Sequence, residues 1–384
     1  MKKGWQTKKL GELCEIELGK TPARANSAFW DEKRETGNVW LSIADLLKAE
    51  DNIVVDSKEY VTDKGAAICK LVPKGTLLVS FKLTLGRLAF AGRDLFTNEA
   101  IAALSIFNER ELSKEFLFYF LHFFDWVKAA ENDVKLKGMT LNKAKLKEMP
   151  VHFPLLPEQQ RIVGILDETF DGIATAKANA EKNLHNARAL FESHLNSVFI
   201  QRGEGWVEKT LDQISENLDS KRVPITKNIR SIGSVPYYGA SGIVDYVKDY
   251  LFDENLLCVS EDGANLLART YPIAFSISGK TWVNNHAHVL RFKNIVSQKF
   301  VELYLNSIKL DDFVSGMAQP KLNQAMLNKI PIPFPPHTEQ KSIVAKLDAL
   351  SAETKKLESI YQQKLAALEA LKKTLLNQAF TGAL

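Results

Sequence analysis

Polar, basic and aromatic side chains gather in turn-rich segments of this 384-residue chain, and such side chains can contact base edges and phosphates. Arginine and lysine suit guanine and phosphate, whereas asparagine and glutamine suit adenine. Two segments, 135–143 and 316–323, share a Gly-Met pair followed by Leu-Asn. The predicted DNA-contacting residues of the first half are Lys82, Arg87, Lys137, Thr140, Asn142 and Lys143. Those of the second half are Tyr237, Tyr238, Ser241, Arg269, Lys280, Trp282, Asn285, Gln319, Lys321 and Asn323.

Each of these residues has an alternative interpretation as an ordinary turn or core residue. Tyrosine, tryptophan and asparagine are common in both settings, and a single residue does not separate the two. In the Gly-Met segments we favour DNA contact, because polarity is retained at the same place in both copies while the details differ.

Sequence motifs for catalysis are missing. The stretch 278–281 ends like a phosphate-binding loop, but Ala274 stands where its first glycine belongs. We find neither the Asn/Asp-Pro-Pro-aromatic tetrapeptide of amino-methyltransferases nor a nuclease core of acidic residues and lysine. His286 and His288 lack a third ligand nearby in sequence, which disfavours a zinc site. We therefore predict a non-catalytic protein that binds neither metal nor cofactor itself.

The composition is that of an ordinary globular protein, with 45% hydrophobic and 25% charged residues. A net charge of +4 permits nucleic-acid binding without arguing for it, since a local patch matters more than the sum. Cys14, Cys69 and Cys258 lack metal-ligand spacing and are expected to be reduced thiols. With no signal-peptide pattern and no apolar run of roughly 20 residues, we expect a cytoplasmic protein.

A long internal repeat predicts the elements that position these residues. Segments 149–154 and 158–163 reappear 181 positions later, and Gly4-Trp5 reappears as Gly205-Trp206, 201 positions later. The interiors between these matching edges diverge. Such a pattern is typical of one scaffold that carries two different recognition surfaces.

The repeat divides the chain into two mixed domains and two helical segments. Apolar runs such as 75–81, 255–260 and 287–292 predict strands, and 114–127 and 297–308 predict helices. We therefore predict the α+β class for both domains. The predicted boundaries are 1–157 for the first domain, 158–203 for the first helix, 204–336 for the second domain and 337–384 for the second helix.

Both helical segments carry a seam of apolar residues at alternating three- and four-residue steps. In the first the seam residues are Leu166, Ile173, Ala180 and Ala187. In the second they are Leu347, Leu350, Leu357, Tyr361, Leu368, Leu371 and Leu375. Large residues of one seam complement small residues of the other, which predicts an antiparallel coiled-coil pair related by an approximate two-fold axis. The alternative is that each helix packs only on its own domain.

The chain resembles the specificity subunit of type I restriction-modification systems. The resemblance rests on the Gly-Trp openings, the Pro-x-Phe-Pro elbows before Glu-Gln and Ile-Val, and the repeated helices. It also rests on the turn-containing stretch 237–242, which is similar to a common feature of target-recognition domains.

The resemblance implies two target-recognition domains joined by two long antiparallel coiled-coil helices in a pseudo-two-fold arrangement. It implies sequence-specific binding of double-stranded DNA at a bipartite site. Two methyltransferase (M) subunits and two restriction (R) subunits would be partners, and S-adenosylmethionine, ATP and Mg would bind to those partners. DNA methylation and cleavage would thus belong to the complex. The alternative is a coiled-coil adaptor without sequence-specific DNA reading.

Overall fold

A computed structural model describes residues 4–130, 134–135, 138–316 and 319–384, except for the side chains of 134–135 and 138–139. The chain forms two compact units. Unit 1 comprises Met1–Asn179 and Lys364–Leu384, and unit 2 comprises Ala180–Gln363. Each unit therefore contains one mixed domain and one part of each long helix.

Unit 1 combines a mixed core sheet, antiparallel except for the β4–β8 pair, with short helices. Its five-stranded sheet has the order β2-β10-β6-β8-β4, and α3 contributes six buried residues to the adjoining core. The strands are β1 (Gln6–Lys9), β2 (Cys14–Leu18), β3 (Val39–Leu41), β4 (Ile53–Val54), β5 (Glu59–Tyr60), β6 (Leu77–Ser80), β7 (Lys82–Leu83), β8 (Leu88–Ala91), β9 (Phe96–Thr97), β10 (Ile101–Ile106), β11 (Val134–Lys135), β12 (Gly138–Thr140) and β13 (Pro150–Phe153). The helices are α1 (Leu10–Leu13), α2 (Asp63–Ala66), α3 (Lys114–Phe123), α4 (Trp126–Ala129), α5 (Lys143–Lys147) and the first long helix, α6 (Leu156–Ile200).

Unit 2 repeats this plan with a different interior. Its core sheet has the order β15-β22-β19-β20, and a second sheet has the order β17-β16-β21-β18. The strands are β14 (Val207–Thr210), β15 (Ser215–Asn217), β16 (Ile232–Gly239), β17 (Gly242–Val247), β18 (Phe252–Asp253), β19 (Leu256–Ser260), β20 (Ala274–Ile277), β21 (Lys280–Val283), β22 (Ala287–Phe292) and β23 (Pro331–Phe334). The helices are α7 (Leu211–Ile214), α8 (Asn265–Ala268), α9 (Ile295–Ser307), α10 (Gln324–Asn328) and the second long helix, α11 (His337–Thr381). The predicted α+β class is confirmed in both units.

The repeated opening of each domain pairs with its repeated Pro-rich elbow. In unit 1, β1 pairs antiparallel with β13, and Gln6 lies opposite Phe153. In unit 2, β14 pairs antiparallel with β23, and Val207 lies opposite Phe334. Proline lacks an N–H donor and is tolerated in such short edge pairs. The two matching ends of each domain are thus brought together next to a long helix.

The long helices run antiparallel within each unit. In unit 1, Arg161 donates to the carbonyl of Leu384 at 3.1 Å, whereas Lys177, further along α6, pairs with Glu369 at 2.8 Å. In unit 2, Arg188 of α6 pairs with Glu358 of α11 at 2.7 Å. Residue numbers rise along one helix as they fall along the other, so the antiparallel prediction is confirmed.

The seam residues differ in burial. Most are buried or half-buried, which fits helix pairing, but Leu357 and Leu371 are 40% and 44% exposed. The fully buried group is Leu166, Ile173, Ala180, Ala187 and Leu347, and the half-buried group is Leu350, Tyr361, Leu368 and Leu375. Tyr361, Leu368 and Leu375 stay half-buried further along the same helix, so the greater exposure is confined to Leu357 and Leu371. Glu358, the neighbour of Leu357, is half-buried and pairs with Arg188.

A buried glutamine joins each elbow to its domain and its long helix. Gln159 is 0% exposed, and its side-chain oxygen accepts the N–H of Ser113, the N-cap of α3, at 2.9 Å. Its NH₂ group donates to the carbonyls of Glu111 and Pro154 at 2.8 and 2.9 Å. These three bonds fix α6 against both the elbow and α3.

Unit 2 repeats this arrangement. Gln340 is 1% exposed and donates to the carbonyl of Pro335 at 2.8 Å. Its side-chain oxygen accepts from the Ser297 hydroxyl of α9 at 2.8 Å. The neighbouring Glu339 accepts the indole N–H of Trp206 at 2.8 Å. The Gly-Trp and Glu-Gln pairs of unit 2 therefore contact each other.

We predict that Gln159→Leu lowers the free energy of unfolding by about 3 kcal/mol, because it leaves buried polar groups of Ser113, Glu111 and Pro154 without a partner. Denaturant titration measures the change. The matched control is Gln160→Leu at the adjacent exposed position, which should change the stability by less than about 0.5 kcal/mol. Equal effects of the two substitutions would contradict the role assigned to Gln159.

Candidate nucleic-acid interface

In unit 1 the strand pair β7–β12 brings predicted DNA-contacting residues onto one surface. Thr140 lies opposite Lys82 in the register of this pair. The N–H of Leu141 donates to the carbonyl of Phe81 at 2.9 Å, and Asn142 and α5 follow directly. Asn142 and Lys143 are exposed, and Lys82 and Thr140 are half-buried. We call Lys82, Thr140, Asn142 and Lys143 surface 1.

The charge of surface 1 is positive. The ammonium group of Lys82 lies 5.2 Å from the centre of the Phe81 ring, a favourable cation–π distance. Helix α5 has the sequence KAKLK, and its three lysines are exposed. Exposed lysines on a short helix beside a strand turn suit phosphate contact.

Two further DNA contacts were predicted in unit 1. Arg87 is half-buried directly before β8, and its guanidinium donates to the carbonyl of Ile43 at 3.3 Å. Lys137 lies outside the described residues.

The asparagines that end the two Gly-Met segments are helix N-caps. The side-chain oxygen of Asn142 accepts the N–H of Lys145 at 2.9 Å, and that of Asn323 accepts the N–H of Met326 at 3.0 Å. Bidentate recognition of adenine needs both the oxygen and the NH₂ group of the amide. Capping uses one of the two acceptor sites of this oxygen, so each asparagine keeps its NH₂ group and one acceptor site for DNA. The repetition of this residue thus has a structural cause as well.

In unit 2, hydrogen bonds between loops gather five exposed residues. The Ser260 hydroxyl donates to the carbonyl of Ala240 at 2.6 Å, and the N–H of Glu261 donates to the carbonyl of His286 at 2.9 Å. The N–H of Leu322 donates to the carbonyl of Glu261 at 2.8 Å. Five exposed residues lie close in sequence to these hydrogen-bonding residues, and we call them surface 2: Ser241, Asn285, Gln319, Lys321 and Asn323.

Tyr237 and Arg269 have structural roles. Burial argues against DNA contact by Tyr237, whereas DNA contact by Arg269 stays a prediction. Tyr237 is 1% exposed, and its hydroxyl accepts the N–H of Ile225 at 3.0 Å. Arg269 is half-buried and donates to the carbonyls of Leu305, at 2.9 Å, and Ile308. These carbonyls end α9, and terminal carbonyls of a helix need such donors. Burial lowers the pKa of the Arg269 guanidinium.

The other three predicted residues of unit 2 lie on the second sheet and its edge. Tyr238 is half-buried and stacks on Phe275 with ring centres 5.9 Å apart. The indole N–H of Trp282 donates to the carbonyl of Val223 at 2.6 Å. Lys280 is exposed, with its ammonium 4.7 Å from the centre of the Tyr250 ring. DNA contact by these three residues stays a prediction.

Unit 1 contains an arginine–aromatic cluster that the sequence prediction omitted. The guanidinium of Arg24 lies 4.1 Å from the ring centre of Trp30 and 4.7 Å from that of Trp40. Both of its terminal nitrogens donate to Glu59, and a cavity of about 340 Å³ opens beside it. Stacking and a carboxylate pair hold a guanidinium in a fixed direction. The sequence pattern that could have indicated this cluster is the alternation of arginine with aromatic residues in 24–60.

Asp219, Glu261 and His288 form a cluster of metal-ligating residue types, of which His288 is buried and the other two are half-buried, with side-chain atoms within 4.8 Å of one another. Arg222 already lies 2.7 Å from Glu261 and 3.4 Å from Asp219. A cation at this position would have to displace the guanidinium, so the cluster is an ion-paired network. Burial opposes ionisation of Asp219, but His288, the N–H of Val289 and Arg222 together hold its pKa below the ordinary range.

Burial raises the pKa of the Cys14 thiol to about 12 and also raises that of Cys258, so neither is poised to react as a thiolate. Among the helices of the described part of the chain, none is both long and apolar enough to cross a membrane.

Comparison with known proteins connects this architecture to one family. The family model for the type I restriction modification DNA specificity domain matches residues 2–184 and 203–369. A putative type I restriction enzyme specificity subunit from Haemophilus influenzae is 38% identical over 146 residues, which are 38% of this chain and 37% of that protein. A type I restriction enzyme specificity subunit from Methanocaldococcus jannaschii is 24% identical over 303 residues, 69% of this chain and 67% of that protein.

Among solved structures, a chain from work on complex assembly and conformational transition of the type I R-M system is similar in fold. Its TM-score is 0.77 at 17% identity, and the match covers 98% of each chain.

We predict that Lys143→Ala and Lys321→Ala each weaken binding to duplex DNA and reduce the slope of log affinity against log salt by about 1, because each removes one phosphate contact. Fluorescence anisotropy over a salt series measures both quantities. Lys182→Ala, an exposed lysine of α6, is the charge-matched control. Slopes that match that of the control would remove these lysines from the interface.

Proposed function

The chain belongs to the type I restriction-modification DNA specificity family, and from this premise we propose that each unit reads one half of a bipartite DNA site. The observation that carries the proposal is that the two units share the same scaffold contacts but differ in the side chains of surfaces 1 and 2. Both units use the same opening–elbow strand pair and the same buried glutamine. Surfaces 1 and 2 occupy the same place on that scaffold but present different side chains.

The equivalence of the two surfaces follows from hydrogen bonding. Leu141 donates to the residue that follows β6, and Leu322 donates to the residue that follows β19. Surface 1 offers two lysines, a threonine and an amide, whereas surface 2 offers one lysine, a serine and three amides. Because lysine favours guanine and phosphate and amides favour adenine, the two surfaces suit different half-sites.

We further propose that the chain acts in the cytoplasm as the non-catalytic recognition subunit of a larger complex that binds double-stranded DNA. Two methyltransferase (M) subunits and two restriction (R) subunits would be its partners. S-adenosylmethionine, ATP and Mg would bind to those partners, and methyl transfer and cleavage would occur there. The sequence supports this assignment, because this chain lacks the corresponding methyltransferase, phosphate-binding and nuclease motifs.

The proposal predicts that the purified chain, incubated with labelled S-adenosylmethionine and DNA, transfers no methyl group until the methyltransferase subunit is added. Scintillation counting of the recovered DNA measures the transfer. The control is the methyltransferase subunit alone, which should lack sequence preference. Methyl transfer by this chain without a partner would overturn its role as a recognition subunit.

A coiled-coil adaptor is the second candidate, and exposed apolar residues on the long helices favour it. Leu190, Ile360 and Leu371 are 63%, 47% and 44% exposed. Competition binding separates the candidates. The complex with the methyltransferase subunit should bind its modified sequence more tightly than random DNA of equal length, whereas equal affinities would favour the adaptor.

We propose that the long helices set the unread spacing between the half-sites, since each helix supplies core residues to both units. Inserting four residues, about one turn, into both α6 and α11 should therefore change the accepted spacer but neither half-site sequence. Methylation of an oligonucleotide series with varied spacers measures the effect. Altered half-sites with an unchanged spacer would contradict it.

A further inference from the structure

A buried histidine anchors the segment that carries most of surface 2. Segment 319–323 contains Gln319, Lys321 and Asn323, and its backbone passes over the ion-paired network. His288 is 1% exposed on β22. Its Nε2 lies 2.8 Å from the carbonyl oxygen of Leu322, in the middle of the segment.

The other ring nitrogen of His288 faces a carboxylate. Nδ1 lies 2.5 Å from Asp219 and 3.7 Å from Glu261. A carbonyl oxygen only accepts hydrogen bonds, so Nε2 must carry a proton. Asp219 also receives the backbone N–H of Val289 at 2.9 Å and is ion-paired, which makes it an ionised acceptor, so Nδ1 must carry a proton as well. The ring satisfies both neighbours only as the imidazolium cation.

The surrounding groups balance this cation. The two carboxylates facing His288 are Asp219 and Glu261, and Arg222 contacts both of them. Lys321 of surface 2 lies 3.3 Å from Glu261, so the network reaches the DNA-facing segment through a side chain as well as through the Leu322 carbonyl. Cys258 stands nearby with its thiol protonated, because burial and the charge of Asp219 raise its pKa.

Unit 1 fills the equivalent positions with apolar residues. In unit 2, His288 of β22 lies opposite Val259 of β19, and in unit 1, Ala102 of β10 lies opposite Val79 of β6. Ala102 therefore occupies the position equivalent to that of His288. Glu261 and Phe81 are equivalent because each accepts the N–H of the leucine in its Gly-Met segment. Ala102 and Phe81 are both 0% exposed and cannot donate to the segment. Among the described residues, therefore, a cation holds the reading segment at this position in unit 2 but not in unit 1.

We propose that His288, held as an imidazolium, is a positioning residue that fixes surface 2 for reading the second half-site and has no role at the first. The inference rests on the proposed function of the two units. A neutral ring donates one N–H only, so loss of the charge releases either Leu322 or Asp219, and loss of the ring releases both. The segment would then lose its register relative to Asn285 and Ser241.

The test uses the full chain assembled with its methyltransferase subunits. For His288→Gln, which keeps a single NH₂ donor, we expect discrimination at the second half-site to fall about tenfold, the effect of losing one charge-assisted hydrogen bond. Discrimination at the first half-site should be unchanged. Methylation rates on oligonucleotides with a substitution in one half-site at a time measure both. His185→Gln, an exposed histidine of α6, is the matched control.

The outcomes separate the inference from the proposed function. If the wild-type complex ignores substitutions in either half-site, the proposed function fails. If it reads both half-sites and His288→Gln still reads both as well as wild type, the positioning role is overturned. Equal loss at both half-sites would also overturn it, because that result indicates a general structural defect.

A measurement on the wild-type chain keeps the inference testable if His288→Gln does not fold. In ¹⁵N-histidine NMR near neutral pH, His288 should show both ring nitrogens as N–H groups, assigned through contacts to Leu322. A neutral tautomer would overturn the imidazolium anchor. Asp219→Asn, which removes the negative acceptor, should shift that signal toward the neutral form, and an unchanged signal would likewise contradict the anchor.

Discussion

The side-chain amide of Gln159 and its counterpart in Gln340 are the contacts on which the rest of each unit depends. A buried amide must pair all its polar atoms, and each glutamine does so with groups from the elbow and from a domain helix. The long helix, the elbow and the domain core are thereby fixed in one geometry. Because this geometry is independent of the domain interior, that interior is free to change.

In each unit, the scaffold positions the loops that lie at the ends of the core strands. In each unit the Gly-Met segment returns to the strand end through a backbone hydrogen bond from its leucine. An asparagine then caps the following short helix. Backbone bonds and caps constrain few side chains, so lysine, threonine, serine or glutamine can be exchanged around them. The same backbone geometry can in this way present different side chains for DNA recognition.

The sequence predicted the periodic elements well, because periodicity reflects burial on one face. Strand β22 and helix α9 lie close to the predicted runs, and the predicted turn at 237–242 is the hairpin between β16 and β17. The strict seven-residue repeat did not predict that Glu358 would be more buried than its neighbour Leu357 and would pair with Arg188. The structural contacts of Tyr237 and Arg269 were not predicted either, since their partners, Ile225 and the end of α9, are close only in the folded chain. For the same reason no sequence pattern indicated that His288 would contact Asp219 and Leu322.

Each unit is proposed to read one half of a bipartite DNA site. The most direct measurement is a genome-wide map of methylated adenines in cells that express this chain together with the proposed methyltransferase subunit, compared with cells that lack this chain. Our account predicts one asymmetric motif, made of two half-sites separated by a fixed unread spacer and absent without the chain. A single continuous motif, or methylation that persists when the chain is removed, would contradict it.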